Sequence, residues 1–411
     1  MTPAARLQAA VELLTIIETS GRPADALAND FFRARRFIGS GDRRAISDRV
    51  WVILRARHRL HWWLEGHATP RLLVAASLVL EASSIAAVAT AFAGGRFSPQ
   101  PLTADERARL APLVDRTLDH SSMPPAVRME VPDWALPLLQ ARFGDRLADE
   151  MAAMGQEAPL DLRVNLLKTD RDAAIAALAE EGIVAEKTPL SPWGLRVAGR
   201  RPVVTGAAFR AGLVEIQDEG SQLVAALVRA EPEMRVADFC AGAGGKTLAM
   251  AMTMQNRGHI VACDTSVSRL DGAVRRLRRA GVHNVERHVL EPGDKWVKRR
   301  AMSFDRVLVD SPCTGSGTWR RNPDGRWRLH QQDLQELVEK QAIILDQASR
   351  LVRKSGRLVY ATCSLFTEEN ETQVSGFLSR HADFILAEQL ALTPARDGTD
   401  GFHAFALERV G

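Results

Sequence analysis

The sequence predicts a multidomain chain: an all-α N-terminal domain, a small α+β subdomain and a C-terminal α/β domain with a parallel sheet. Three observations predict it. Apolar residues recur at helical spacing over the first 120 residues or so, without strand alternation. A Pro-rich stretch, Ser121 to Pro132, then breaks the pattern. From Ser221 onward helix, strand, glycine loop, helix and strand alternate, the rhythm of a parallel sheet. The 411 residues exceed one ordinary domain of about 100 to 200 residues, and boundaries are expected at 1–125, 126–215 and 216–411.

In the N-terminal part, Leu7, Val11, Leu14 and Ile17, then Val50, Ile53, Leu54 and Leu60, line one face of successive helices. The most apolar stretch, Leu72 to Phe92, carries Glu81 near its middle and is rich in Ala and Ser. It therefore reads as two buried bundle helices rather than a membrane span. Between these runs Arg33, Arg35, Arg36, Arg43, Arg44 and Arg49 surround Phe31, Phe32 and Phe37. Basic residues interleaved with aromatics suit a surface facing RNA, with Arg33 and Arg36 as candidate contacts; a solvated face above core phenylalanines is the alternative.

Beyond the Pro-rich stretch, a helix is expected from Trp134 to Met154, a strand in LRVNLL (Leu162–Leu167), a helix from Asp170 to Glu181 and a strand-like region to Val204. This mixed segment ends near Ile216, Gln217 and Asp218. Composition sets further limits, since 46% hydrophobic and 25% charged residues exclude disordered and fibrous classes. The formal charge of +4 is carried almost wholly by arginine and is too small by itself to establish a nucleic-acid partner. The N-terminus lacks the features of a signal peptide. Cys240, Cys263, Cys313 and Cys363 lie far apart with no CxxC pair, so neither a disulfide framework nor a metal site is expected, and free thiols point to a reducing cytoplasm.

The segment MRVADFCAGAGGKTLAMAM (Met234–Met252) is an apolar strand, a glycine-rich turn and a helix, where backbone passes close to a ligand. A nucleoside-triphosphate loop would need glycine where Cys240 stands. A dinucleotide loop would need glycine where Thr247 follows Gly242 and Gly244. S-adenosylmethionine has no phosphates and needs close backbone approach plus acidic residues. Asp238 ends the first strand and Asp264 the second, where a carboxylate can accept both ribose hydroxyls. The acidic position after the next strand is Glu291, with Asp294 as its rival.

FDRVLVDSPCTGSG (Phe304–Gly317) puts Asp310 and Cys313 at the carboxyl end of another strand; after a long helix (Leu334–Leu351), YATCS does the same for Cys363. Carbon 5 of cytosine is a poor nucleophile. A thiolate adding at carbon 6 creates an enamine that can attack a sulfonium methyl, and a second thiol can assist the elimination that follows. An acidic residue such as Asp310 near N3 would stabilise the charge that builds there. Core packing of isolated cysteines is the bland reading, but two at matching strand ends are poorly explained by it.

DFCAGAGGKT, DSPCTGSG and YATCS, followed by EEN and a terminal DGFHAFAL, resemble the RsmB/NOP2/Sun family of RNA cytosine-5 methyltransferases over roughly residues 130 to 410. The resemblance implies a Rossmann-like methyltransferase domain using S-adenosylmethionine, with Cys363 as nucleophile, Cys313 assisting release and Asp310 near base and cofactor. It also implies a cofactor loop of Cys240, Ala241, Gly242, Ala243, Gly244, Gly245 and Lys246, with Asp264 on the ribose. LRVNLLK resembles the family's small RRM-like RNA-binding subdomain, which implies RNA contacts at Arg163, Asn165 and Lys168. Arg320 and Arg321 follow its Arg-rich stretch. The helical N-terminus is similar, by pattern and length, to the NusB-like extension of the bacterial 16S ribosomal-RNA members. Two departures are Gly242–Ala243, where many members have Ala-Pro, and Glu291, where many have aspartate. The expected protein is a monomeric enzyme acting on RNA, 16S rRNA first and tRNA as the alternative. A non-catalytic RNA-binding module is opposed by both cysteines being present, and a DNA enzyme attacking from its Pro-Cys cysteine would leave Cys363 without a role.

Overall fold

The computed structural model describes residues 1–199 and 201–410. It divides into two compact units, 1–156 together with 319–330, and 157–318 together with 331–410. No helix among the described residues is long and apolar enough to cross a membrane.

The first unit is helical. Its core is built by helices Pro3–Thr19, Ala24–Ala34, Ser40–Arg55 and Pro70–Leu80, through Leu13, Leu14, Phe31, Ile46, Val50, Leu73 and Val74. Helices start where their caps dictate: the Thr2 and Thr69 hydroxyls accept from Ala5 and Leu72 amides, and Pro follows each cap. The Leu72–Phe92 stretch forms two helices, Pro70–Leu80 and Ile85–Ala91, as expected, but only the first is buried along its length; in the second Val88 alone is buried, and Ala86, Ala87 and Thr90 are exposed. The Pro-rich stretch Ser121 to Pro132 is packed into this unit. Met123, Ala126, Val127 and Val131 are buried, and the Glu130 carboxylate caps helix Arg57–Trp63 by accepting from the His58 amide at 2.8 Å and the Arg59 amide at 3.0 Å. The helix expected over Trp134–Met154 is broken into Leu136–Phe143 and Leu147–Gly155, because Gly144 takes a φ of +54° that ends the first helix.

Residues 319–330 complete this unit although they follow the Cys313 loop in sequence. Trp319 is buried, and Arg326, its guanidinium 5.2 Å from the Trp319 ring, donates to the Glu130 carbonyl at 2.7 Å. The Asp324 carboxylate accepts from the Ala24 amide at 3.1 Å, and the Trp134 indole donates to the Leu329 carbonyl at 3.2 Å.

The second unit holds two sheets. Strands β1 (Leu160–Val164), β2 (Ala185–Lys187), β3 (Gly194–Val197) and β4 (Val214–Ile216) form a small antiparallel sheet in the order β2-β3-β1-β4, covered by helix Arg171–Glu180. The seven-stranded sheet comprises β5 (Arg235–Asp238), β6 (His259–Asp264), β7 (Val285–Val289), β8 (Phe304–Asp310), β9 (Val352–Thr362), β10 (Phe384–Leu392) and β11 (Phe402–Arg409). Its order is β10-β11-β9-β8-β5-β6-β7; the five strands from β9 to β7 are parallel, and β10 and β11 form an antiparallel edge. From β5 the chain continues to β6 and β7 on one side and then crosses to β8 and β9 on the other. That reversal opens a crevice at the carboxyl ends of β5 and β8, where open parallel sheets take their ligands.

Candidate active site

Every chemically notable residue of the large sheet ends a strand or follows one at this crevice. Asp238 ends β5, Asp264 ends β6, Asp310 ends β8, and Cys363 follows directly on β9. The glycine loop after β5 is shaped by left-handed residues, Gly242 with φ +54° and Gly244 with φ +78°. It is pinned by the Ala241 amide on the Cys263 carbonyl at 2.8 Å and the Gly242 amide on the Asp264 carboxylate at 2.9 Å. The other Asp264 oxygen accepts from the Ser266 amide at 2.8 Å. Each of these oxygens keeps a second lone pair for a ribose hydroxyl.

Two observations fit a ligand in front of this loop. A Cβ built on Gly242 would meet no atom within 4 Å, so the loop's outer side is open. Asp238 is buried, and while its Oδ2 accepts from the Thr247 hydroxyl at 2.6 Å, its Oδ1 has no partner. Burial pushes its carboxyl from 3.8 up to about 7, against the Thr247 hydrogen bond and with help from Asp310. With a pKa raised by folding, the stabilisation linked to this proton is complete below about pH 4 and is lost as the pH rises through 7.

The Cys313 and Cys363 sulfurs lie 3.5 Å apart, both half-buried and neither in a disulfide. The Cys363 sulfur beside it, and then burial, hold the Cys313 thiol well above its ordinary value. The buried Lys246 ammonium donates to the Asp310 carboxylate at 2.7 Å. Burial alone would lower the Lys246 pKa; the Asp310 charge, its hydrogen bond and the nearby Cys363 outweigh that and raise it. Cys240 and Cys263 are pushed up by burial above all, which makes them inert thiols.

The structure buries three of the expected RNA contacts, Arg163, Asn165 and Arg320. Arg163 is buried and donates to Gln217 at 2.5 Å and to the Gly245 carbonyl at 2.7 Å, tying β1 to the glycine loop. Asn165 is buried too, donating to the Gly212 and Ala280 carbonyls, and Lys168 donates to those of Ala211 and Arg279. Both therefore cap the end of helix Val267–Ala280, Asn165 from the interior and Lys168 from the exposed surface. Arg320 is buried in the helical unit, where its amide meets the Met154 sulfur at 3.2 Å and its carbonyl accepts from Arg55; Arg321 is half-buried with partners in the protein. Of the two acidic rivals after β7, Asp294 is engaged by His288 at 2.6 Å and caps Trp296, whereas Glu291 is exposed.

Arg33 and Arg36 remain at the surface, lining with Arg43, Arg44, Asn29, Phe32 and Ser47 a cleft of about 500 Å³. Sequence reasoning missed Glu369, which lies buried between the two cysteine loops. Its only signal was the EEN that follows YATCS.

The model of the methyltransferase domain described as "16S rRNA methyltransferase RsmB/F" matches residues 225–406, and that of the RsmF/B-like ferredoxin-like domain matches residues 131–204. Ribosomal RNA small subunit methyltransferase B of Photorhabdus laumondii is 33% identical over 66% of this chain; the aligned stretch is 64% of that protein's length. The probable enzyme of the same name from Synechocystis is 35% identical over 71% of this chain and 70% of that one. Among solved structures, that of PH0851 superposes with a TM-score of 0.82 at 25% identity, covering 100% of this chain and 99% of its own.

Proposed function

Because the chain belongs to the RsmB/F family of 16S rRNA methyltransferases, we propose that it transfers a methyl group from S-adenosylmethionine to carbon 5 of a cytosine in 16S rRNA, through a covalent adduct on Cys363. The observation that carries this reading is the pair of sulfurs 3.5 Å apart beside the Lys246–Asp310 pair.

The Cys240–Lys246 loop, Asp238, Asp264 and Glu291 would hold S-adenosylmethionine, which supplies an electrophilic methyl. Cys363 attacks carbon 6 of the base, which must leave its stack to be reached. Asp310, oriented by Lys246, is the group available to the N3 side of the ring. Cys313, 3.5 Å from the Cys363 sulfur, is placed to take the carbon 5 proton as a thiolate at the elimination step, while the Cys363–carbon bond breaks and its electron pair leaves on the Cys363 sulfur. RNA labelled with tritium at cytosine carbon 5 tests the chemistry. One tritium should be released per methyl transferred; transfer with the tritium retained would move the reaction to another atom.

Cofactor binding is expected to depend on Asp264. Losing a charged hydrogen bond costs on the order of 1.5 to 3 kcal/mol. At ~1.4 kcal/mol per decade, Asp264→Ala should bind S-adenosylmethionine at least tenfold more weakly by calorimetry. An unchanged affinity in the folded variant would remove Asp264 from the site.

The helical unit, NusB-like in this reading, is assigned to RNA through its arginine cleft. Arg33 is partly engaged by Asp30 at 3.3 Å, whereas Arg36 and Arg44 are exposed and available to phosphates. Each phosphate contact contributes a slope of roughly 0.7 to 0.9 to the salt dependence of binding. An Arg36→Ala, Arg44→Ala double variant should therefore bind RNA with a slope shallower by about 1.5. An unchanged slope would place the phosphates elsewhere.

A further inference from the structure

We propose that Glu369 is a positioning residue that bolts the Cys313 loop to the Cys363 loop and so fixes the spacing of the two sulfurs. Glu369 has no exposed surface. It lies in the short turn Thr367–Glu369, just before helix Glu371–Arg380. Its Oε1 accepts from the Thr314 amide at 2.9 Å and from the Gln341 side chain at 2.8 Å. Its Oε2 accepts from the Thr314 hydroxyl at 2.5 Å and from the Ser364 hydroxyl. Thr314 follows Cys313 and Ser364 follows Cys363, so one carboxylate grips the residue next to each sulfur.

Secondary links run across the same seam. The Leu365 amide donates to the Ser316 hydroxyl at 2.8 Å, and the Gly317 amide to the Cys363 carbonyl at 2.9 Å. Asn370 secures the second loop from behind through the Ser364 and Phe366 carbonyls. Four donors fill the Glu369 oxygens, which leaves them nothing to offer a substrate and rules out an acid–base role of their own. Burial raises the Glu369 carboxyl above its usual range even against these hydrogen bonds. An ionisable group is thus held in the interior, at a desolvation cost, at the one place where two loops must keep a common register. A displacement of about 1 Å between reacting groups can cost on the order of 100-fold in rate.

The test has two arms, using the full chain with Glu369→Ala, Glu369→Gln and Thr314→Val. In the first, the protein is equilibrated in glutathione buffers and the Cys313–Cys363 bond is mapped by mass spectrometry. The two thiols give up two electrons and two protons to glutathione disulfide, which leaves as two glutathione molecules. Glu369→Ala should lower the equilibrium constant for this bond at least tenfold and Thr314→Val several-fold, while Glu369→Gln, with an acceptor still facing the Thr314 amide, restores most of it. Wild-type equilibrium in a folded Glu369→Ala protein would overturn the proposal; should that variant fail to fold, wild-type equilibrium in Thr314→Val would do so.

The second arm rests on the function proposed above. It measures the ratio of RNA adduct to released product in single turnovers, which does not depend on the fraction of folded protein. Glu369→Ala should shift this ratio toward adduct, the same direction expected of Cys313→Ala. A wild-type ratio beside an adduct-forming Cys313→Ala control would overturn the positioning role in catalysis. Absence of adduct from that control would instead remove the proposed release step, with the first arm still deciding the geometry.

Discussion

Cys363→Ala is expected to abolish turnover, by at least about 10⁴-fold, because removal of a nucleophile costs that much or more where a covalent intermediate is obligatory. Cys313→Ala should behave in the opposite way. Attack and methyl transfer remain possible while elimination slows, so a protein–RNA adduct should accumulate. The two sulfurs are 3.5 Å apart, and the effect of Cys363 together with burial raises the Cys313 thiol well above its ordinary value. A denaturing gel with labelled RNA and S-adenosylmethionine reads both variants at once. A shifted band for Cys363→Ala and none for Cys313→Ala would reverse the assignment; no band for either would leave Cys313 without its release function.

Lys246→Met should reduce the rate of adduct formation by roughly 10² to 10³-fold, the usual effect of deleting one preorganised polar group from a water-poor site. Lys246 is buried and pairs with Asp310 at 2.7 Å. Without it, Asp310 loses the partner that orients it, and the crevice loses a buried cation. Asp310 is about a third exposed, at 32%, so water can take up part of the lost interaction, and the fold should survive better than after breaking a fully buried pair. Single-turnover kinetics alongside thermal melting separate the two effects. A rate within threefold of wild type would confine Lys246 to a packing role.

The glycine loop and both cysteines were legible because each lies in a short contiguous motif at a strand end, and strand ends are visible as apolar runs that stop. Asp238, Asp264 and Asp310 were readable for the same reason. Arg163 and Asn165 of LRVNLLK are buried, which sequence does not reveal, because a polar residue in or beside a strand looks the same whether it meets phosphate or a carbonyl. Arg163 and Lys168 meet carbonyls that lie 82 and 111 residues away, a pairing no local pattern encodes. Arg320 was misread similarly: its stretch has the composition of a surface loop, but residues 319–330 pack into the helical unit, where Trp319 and Arg326 are buried. Glu369 was hidden because its partners come from two other loops and a helix, so only the folded chain brings its four donors together.

The contribution of residues 319–330 to the helical unit also sets a timetable for biosynthesis. The Ala24 amide finds its partner, the Asp324 carboxylate, 300 residues later in the chain. At ribosomal speeds of about 5 to 20 residues per second, the interval is roughly 15 to 60 s. Throughout it, the nascent helical bundle lacks Trp319 and Arg326, and the Glu130 carbonyl lacks its donor. The bundle emerges first yet is finished late, so its earliest-made helices wait in an open state that chaperones and proteases can sample until the Cys313 loop and the twelve residues after it have been translated.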